Sequence, residues 1–182
     1  VLLMRPTAVG DRAGIAAMVT DRTAWMAERG LRSFRGAAEA VAEQEGADDC
    51  PVWVLVEDGS IVGCTTAFDQ SPAWASTEEE RSRSALFLAS TWTAPTRGRR
   101  LGHLIARWAL DHAARSGLES VRRGAFEPRL MHYYCRVQGW TLLREMERRG
   151  RTGHIKTRPA ERQPALALTA GPSATCGRRA DA

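Results

Sequence analysis

A chain of 182 residues, 43% of them hydrophobic, is long enough to build one self-sufficient core and too apolar to be disordered throughout. Its net charge of +5 is almost wholly arginine, Lys156 being the only lysine; with the abundant alanine this fits codon bias, and it leaves attraction to an anion such as a nucleotide cofactor, nucleic acid or an acidic membrane open. No stretch reaches the ~18 apolar residues of a membrane span, Cys50, Cys64, Cys135 and Cys176 form no CxxC pair, and no Cys/His cluster has zinc spacing, so the expectation is a cytoplasmic chain with free thiols and no metal.

In chain order, residues 2–5 read as a short strand ended by Pro6. Asp11 is placed to cap the helix that Ile15, Met18, Val19 and Met26 outline before Gly30. An alanine-rich helix is expected near 36–45. Two β-rich runs, 52–56 and 61–68, flank Asp58-Gly59, a hairpin signal. Residues 70–84 are polar and read as a loop. The continuous apolar run 85–92 suits a central strand covered on both faces. Leu101, Leu104, Ile105, Trp108, Ala109 and Ala113 then share one face of a helix over 101–116, with Gly117 as its cap. A strand near 120–126, a helix near 129–137 stopped by Gly139, and closing strands at 140–148 and 154–157 complete a domain over 1–158. Residues 159–182 carry no periodicity and read as a disordered tail. The fold class is mixed α+β, with a hairpin-built sheet and a strand–helix–strand unit.

Chemistry concentrates where the 85–92 strand meets the 101–116 helix, at Arg97-Gly98-Arg99-Arg100-Leu101-Gly102-His103. A helix start offers unpaired N–H groups and the positive end of its dipole, glycines let an anion approach the backbone, and arginines add charge-assisted hydrogen bonds. The spacing is neither a P-loop nor a Rossmann fingerprint. An ordinary strand–helix turn with solvated arginines has the same sequence.

Arg97-Gly98-Arg99-Arg100-Leu101-Gly102 resembles the [Arg/Gln]-x-x-Gly-x-[Gly/Ala] pyrophosphate loop of the GCN5-related N-acetyltransferase (GNAT) superfamily. Arg5-Pro6-Thr7-Ala8 with Asp11 resembles that family's opening strand and helix cap, and Tyr133-Tyr134 before Gly139-Trp140 its late tyrosine helix. The resemblance covers residues 2–158. It departs at Arg100, which stands where the family has its middle glycine, at Pro95, one residue nearer the arginine, and at Tyr134, one residue further from Gly139.

The resemblance implies a central, mostly antiparallel sheet of about 6–7 strands with a splayed parallel pair and about four helices. It implies acetyl-CoA as co-substrate, no metal, and direct attack by an amine in a ternary complex. The backbone of Trp92 and Thr93 would pair with the pantetheine arm, and N–H groups from Gly98 to His103 would hold the pyrophosphate. Tyr134, with Tyr133 as rival, would protonate the leaving thiolate; core packing is the plain alternative for both. No general base stands out: Glu78, Glu79 and Glu80 also suit a solvated face, and His103 and His132 are the imidazole candidates. Trp25, Arg29, Arg32, Arg35 and Asp69 are candidates for the acceptor side, and Trp74 is either a lid residue or an anchor. The acceptor would be a small-molecule or peptide amine, and the closing strands offer a homodimer contact. The rival functions are an acyl-CoA-binding protein without transferase activity and a basic nucleic-acid module, the latter without a helix-turn-helix, zinc-finger or RNP-like motif behind it.

Overall fold

The computed structural model describes residues 1–31, 36–44, 51–96, 98–148 and 150–170. Each strand and each helix read from the sequence is present within them. The elements are β1 (Leu2–Pro6), α1 (Asp11–Ala27), α2 (Ala37–Ala42), β2 (Val52–Glu57), β3 (Ser60–Phe68), α3 (Glu78–Ser82), β4 (Ala85–Thr93), α4 (Leu101–Arg115), β5 (Ser120–Ala125), α5 (Arg129–His132), β6 (Thr141–Arg148), β7 (Arg151–Pro159) and β8 (Thr169–Ala170). A 3₁₀ turn at Ala73–Ala75 precedes α3, and a π-turn at Tyr133–Val137 extends α5.

The eight strands form one sheet in the order β6-β7-β5-β4-β3-β2-β1-β8. The β4–β5 and β1–β8 pairs are parallel, and all others are antiparallel. Asp58 and Gly59 close the β2–β3 hairpin with φ of 47° and 82°, the two positive values that match the twist of the strands they join.

Strand alternation divides the run Val52–Val56 between two cores. Trp53 and Leu55 join Ile105, Trp108 and Ala109 of α4 on one face, while Val52, Val54 and Val56 join Ile15, Val19 and Val41 of α1 and α2 on the other. Burial on both faces is why this run shows no polar alternation in sequence.

Three expectations change. Asp11 opens α1 without capping it: Gly10 is the N-cap, and the Asp11 carboxylate instead takes the Arg5 guanidinium at 2.6 and 2.9 Å and the Ala8 N–H at 2.7 Å. That ties the end of β1 to the helix start and holds the Asp11 carboxyl below its ordinary value. Residues 70–84 are not one loop. Thr77 and Glu80 form a capping box that starts α3, a Thr-x-x-Glu signal present in the sequence. Buried Arg122 donates to Glu80 O at 2.7 Å and Ser71 Oγ at 3.2 Å, fastening the segment to β5.

The third change concerns the expected tail. Residues 159–170 cross beneath α4, where Asp111 accepts the Gln163 N–H at 2.9 Å and Arg107 donates to the Gln163 side chain at 2.9 Å. Leu166 and Leu168 pack on the α4 core, and β8 pairs with β1. These leucines act together with the hydrogen bonds to Asp111, Arg107, Glu119 and Leu110 and the β8–β1 pairing to hold a segment that has no periodicity of its own. Residues 171–182 lie outside the described residues.

Candidate active site

Strands β4 and β5 run side by side from the pair Ala85–Ser120 to the pair Leu88–Arg123 and then separate. The cause lies in β4. Leu88 pairs with Ala67 and Ser90 with Thr66, so Ala89 is an extra residue, a bulge that bends the strand toward β3. Ala89 is exposed although β4 is a central strand. Beyond the bulge, Gly124 and Ala125 of β5 and residues 89–93 of β4 have no partner across the gap.

The open edge presents specific groups. Ala94 N–H donates to Val62 O at 2.8 Å, and backbone direction alternates along a strand. Trp92 therefore also turns its backbone to β3, where it pairs with Cys64, and Thr91 and Thr93 turn theirs into the gap. Of the two backbone positions expected to meet a pantetheine arm, Thr93 faces the cleft and Trp92 does not. The Trp92 ring packs against the α1–α2 layer.

At the end of the gap α4 begins, after Gly98 (φ 76°) and Arg100 (φ 49°, ψ 39°). Arg100 holds the left-handed conformation that an L side chain resists, and the site where the resemblance expects glycine is the site that needs one. No side chain caps α4, its first turn has no acidic residue, and the Gly102 N–H has no backbone acceptor among the described residues. A Cβ added at Gly102 would meet nothing within 4 Å, so the approach to these amides is open. Arg99 is committed elsewhere, in a bidentate ion pair with Glu57 at the end of β2. The Arg100 carbonyl accepts the His103 N–H at 2.8 Å and the Leu104 N–H at 3.2 Å, while the Arg100 guanidinium makes no hydrogen bond or ion pair among the described residues. Arg97 lies outside them, as do Arg32 and Arg35. Leu101 is buried under the helix start. Burial, then the charges of Arg107, Arg100 and Arg158, holds His103 below the ordinary imidazole value, so a positive field converges here.

Across the cleft stands Tyr134. Its ring packs on the α4 core, 5.0 Å from the Arg123 guanidinium and 4.1 Å from Lys156 Nζ. Tyr133 lies beside it, with ring centroids 6.0 Å apart. A π-turn takes one residue more than an α-turn. That absorbs the extra residue between Tyr134 and Gly139 and favours Tyr134 over Tyr133 as the inward tyrosine.

Among the described residues, the other candidates are not brought to the cleft by any hydrogen bond, ion pair or ring contact. Trp25 lies between Arg22 and Arg29, at 4.6 and 4.2 Å, and Arg29 also donates to the Trp25 carbonyl, so both serve the end of α1. Asp69 is exposed at the end of β3. Glu80 is held by its capping box and an ion pair with Arg144, while Glu78 and Glu79 are exposed. His132 is exposed. Trp74 is still 39% exposed but is held as an anchor, with Arg148 over its ring at 3.7 Å and the Phe87 ring edge-on at 5.7 Å. Burial pushes the Cys64 thiol up to about 12, which leaves it inert. Among the described residues no His, Cys, Asp and Glu group could hold a metal ion, and no helix is long and apolar enough to cross a membrane.

The sequence reading missed Arg123 and Lys156. Both stand in strands at the closed end of the cleft, and a lone lysine within a β-rich run was the available signal.

A chain with a bulged strand, a splayed parallel pair and a basic helix start at its mouth has close structural counterparts. A GNAT-family acetyltransferase from Listeria monocytogenes superposes with a TM-score of 0.68 at 16% identity, over 87% of this chain and 94% of its own. The fold is that of the GNAT acetyltransferases. The Escherichia coli ribosomal-protein-S18-alanine N-acetyltransferase superposes with a TM-score of 0.61 at 10% identity, over 88% of this chain and 94% of its own. A Salmonella typhimurium protein of this fold, solved with its cofactor acetyl-CoA, gives 0.55 at 18% identity, over 91% of this chain and 97% of its own. No protein-family model matches the sequence, and no curated protein does.

Proposed function

We propose that this protein is an acetyl-CoA-dependent N-acetyltransferase acting on a primary amine. The observation that carries the reading is the bulge at Ala89. It opens β4 from β5 and turns the Thr93 backbone toward a cleft that ends at the uncapped start of α4. The cofactor would lie in that gap, its pyrophosphate on the amides from Gly98 to Gly102 near the Arg100 charge, since the His103 N–H is taken by the Arg100 carbonyl at 2.8 Å, and its thioester beside Thr93 and Tyr134.

The chemistry this supports is direct transfer. The amine nitrogen attacks the thioester carbonyl, the C–N bond forms, and the C–S bond breaks. The Thr93 N–H, which faces the gap, would bind the developing oxyanion. The Tyr134 hydroxyl gives its proton to the leaving thiolate, and the amine loses its own proton to water. A homodimer through β6 belongs to the same proposal, since β6 is a sheet edge with Leu142 and Leu143 exposed.

The test is thermal stability with acetyl-CoA or CoA, against ATP and NAD. A ligand at about 100 times its Kd adds roughly 2.7 kcal/mol to the folded state. Gly102→Asp has room for its side chain and puts a carboxylate where an α-helix tolerates one, so it should fold and lose the acetyl-CoA shift. No shift at millimolar acetyl-CoA with the unaltered chain would remove the proposal.

A further inference from the structure

The closed end of the cleft holds two cationic side chains with nothing to neutralise them. Arg123 is the last β5 residue paired with β4, and Lys156 of β7 is its direct cross-strand neighbour. Both side chains therefore rise from the same face of the sheet, under the π-turn. Lys156 is 0% exposed, and its Nζ has no hydrogen-bond partner. The Nε of Arg123 is equally shielded and equally unpartnered. Neither residue belongs to an ion pair among the described residues. What they touch is aromatic: Arg123 lies over Tyr134 and Trp140, and Lys156 over Tyr134.

Such an arrangement is costly. A buried cation is normally paired or hydrogen-bonded, and two side by side repel each other. Elsewhere the protein meets this cost: Arg5 has Asp11, Arg122 has Glu80 O and Ser71, and Arg144 has Glu80. Here no acid is within reach. The titratable groups that face Lys156 are Arg123 from β5 and Tyr134 and Cys135 from the π-turn. No carboxylate is among them, so the pair is left open to one supplied by a ligand.

From this geometry, and resting on the acyltransferase reading, we infer that Arg123 and Lys156 form a carboxylate-binding subsite at the apex of the cleft, filled by a carboxylate of the acyl group or of the acceptor. The Arg123 Nε and the Lys156 ammonium are the two donors, and a carboxylate has two oxygens to meet them. The ligand class is thus a thioester whose acyl chain ends in a carboxylate, or an amine that carries one. Phosphates have their own place at the start of α4, at the mouth of the same gap.

Binding has a signature that does not depend on turnover. Burial and the Arg123 charge bring Lys156 down to about 7, so at pH 8 most of it is neutral. A carboxylate placed against it favours the ammonium, and the protein takes up a proton from buffer.

Calorimetric titration of the full chain at pH 8, in two buffers of different ionisation heat, reads both affinity and proton uptake. The acyl arm compares succinyl-CoA with butyryl-CoA, which has the same chain length and no carboxylate. The acceptor arm adds L-alanine or L-alaninamide to protein saturated with CoA. A third titration uses free succinate on unliganded protein. Charge-assisted hydrogen bonds to a carboxylate give a preference of roughly ten- to a hundredfold. The carboxylate ligand of one arm should show that preference together with proton uptake. Lys156→Met and Arg123→Met should erase the preference and, for Lys156→Met, the uptake, while butyryl-CoA still binds; that retained binding reports that the variants are folded. Equal affinities without proton uptake in both arms would overturn the subsite. If no CoA compound binds, the acyltransferase reading fails instead, and Lys156-dependent uptake with free succinate alone decides the subsite.

Discussion

Replacing Lys156 by methionine should make the protein more stable at neutral pH, and the gain should shrink as pH rises. The Lys156 ammonium is held at about 7 in the folded chain by burial first and the Arg123 charge second, against an ordinary 10.5. Between those values the unfolded chain binds a proton that the folded chain does not, so the wild-type protein gains stability with increasing pH across that window. Below pH 7 both states are protonated, and the cost of burying the charge is at its full size. The fall from 10.5 to about 7 corresponds to roughly 5 kcal/mol at that limit, with about 2 kcal/mol recovered between pH 7 and pH 9. Methionine has a similar reach and no charge, and it suits the aromatic surface of Tyr134. Urea midpoints of both proteins at pH 7, 8 and 9 measure this. The buried Cys64 thiol, pushed up to about 12, destabilises both proteins at alkaline pH alike and cancels in the difference. Parallel stability curves for wild type and variant across pH 7–9, with equal m-values, would refute the argument that Lys156 is an uncompensated buried cation.

Tyr134→Phe should lower kcat by about 10²-fold or more with an amine acceptor, while Tyr133→Phe changes it only a few-fold; equal losses would leave the π-turn assignment without support. Arg100→Gly should raise the melting temperature, because glycine accepts φ 49° where an L side chain costs roughly 1–2 kcal/mol, and a lower melting temperature would show that the loop carries no such strain. Burial holds His112, stacked on Trp108 at 5.0 Å, and His103 below the ordinary 6.5. Their neutral forms are favoured by folding, so the histidines cost nothing above pH 6.5 and their burial lowers stability as pH drops below it. His112→Phe should flatten that fall in acid urea titrations, and an unchanged slope would exclude His112 as a contributor.

Periodicity and turn chemistry act within a few residues, and what depends on them was legible in the sequence: the Asp58-Gly59 hairpin, the apolar face of α4 and the two-faced burial of the first half of β4, Ala85–Leu88. The basic glycine loop before α4 was legible for the same reason, since a helix start and its charges are contiguous. Thr77 and Glu80 also announced α3 locally, but three consecutive glutamates look like solvent-facing sequence until Arg122 and Arg144 arrive from β5 and β6 to hold the segment. The cleft itself depends on strands that are distant in the chain. That Ala89 is a surplus residue is visible only against Ala67 and Thr66 of β3, and that Trp92 turns its backbone inward while Thr93 turns outward follows from the same register. Leu166 and Leu168 become core only because α4 and β1 are there to receive them. Arg123 and Lys156 lie 33 positions apart in sequence and side by side in the sheet. Their meaning is electrostatic, and a charge acquires it only when tertiary structure decides how far water and counter-charges stand from it.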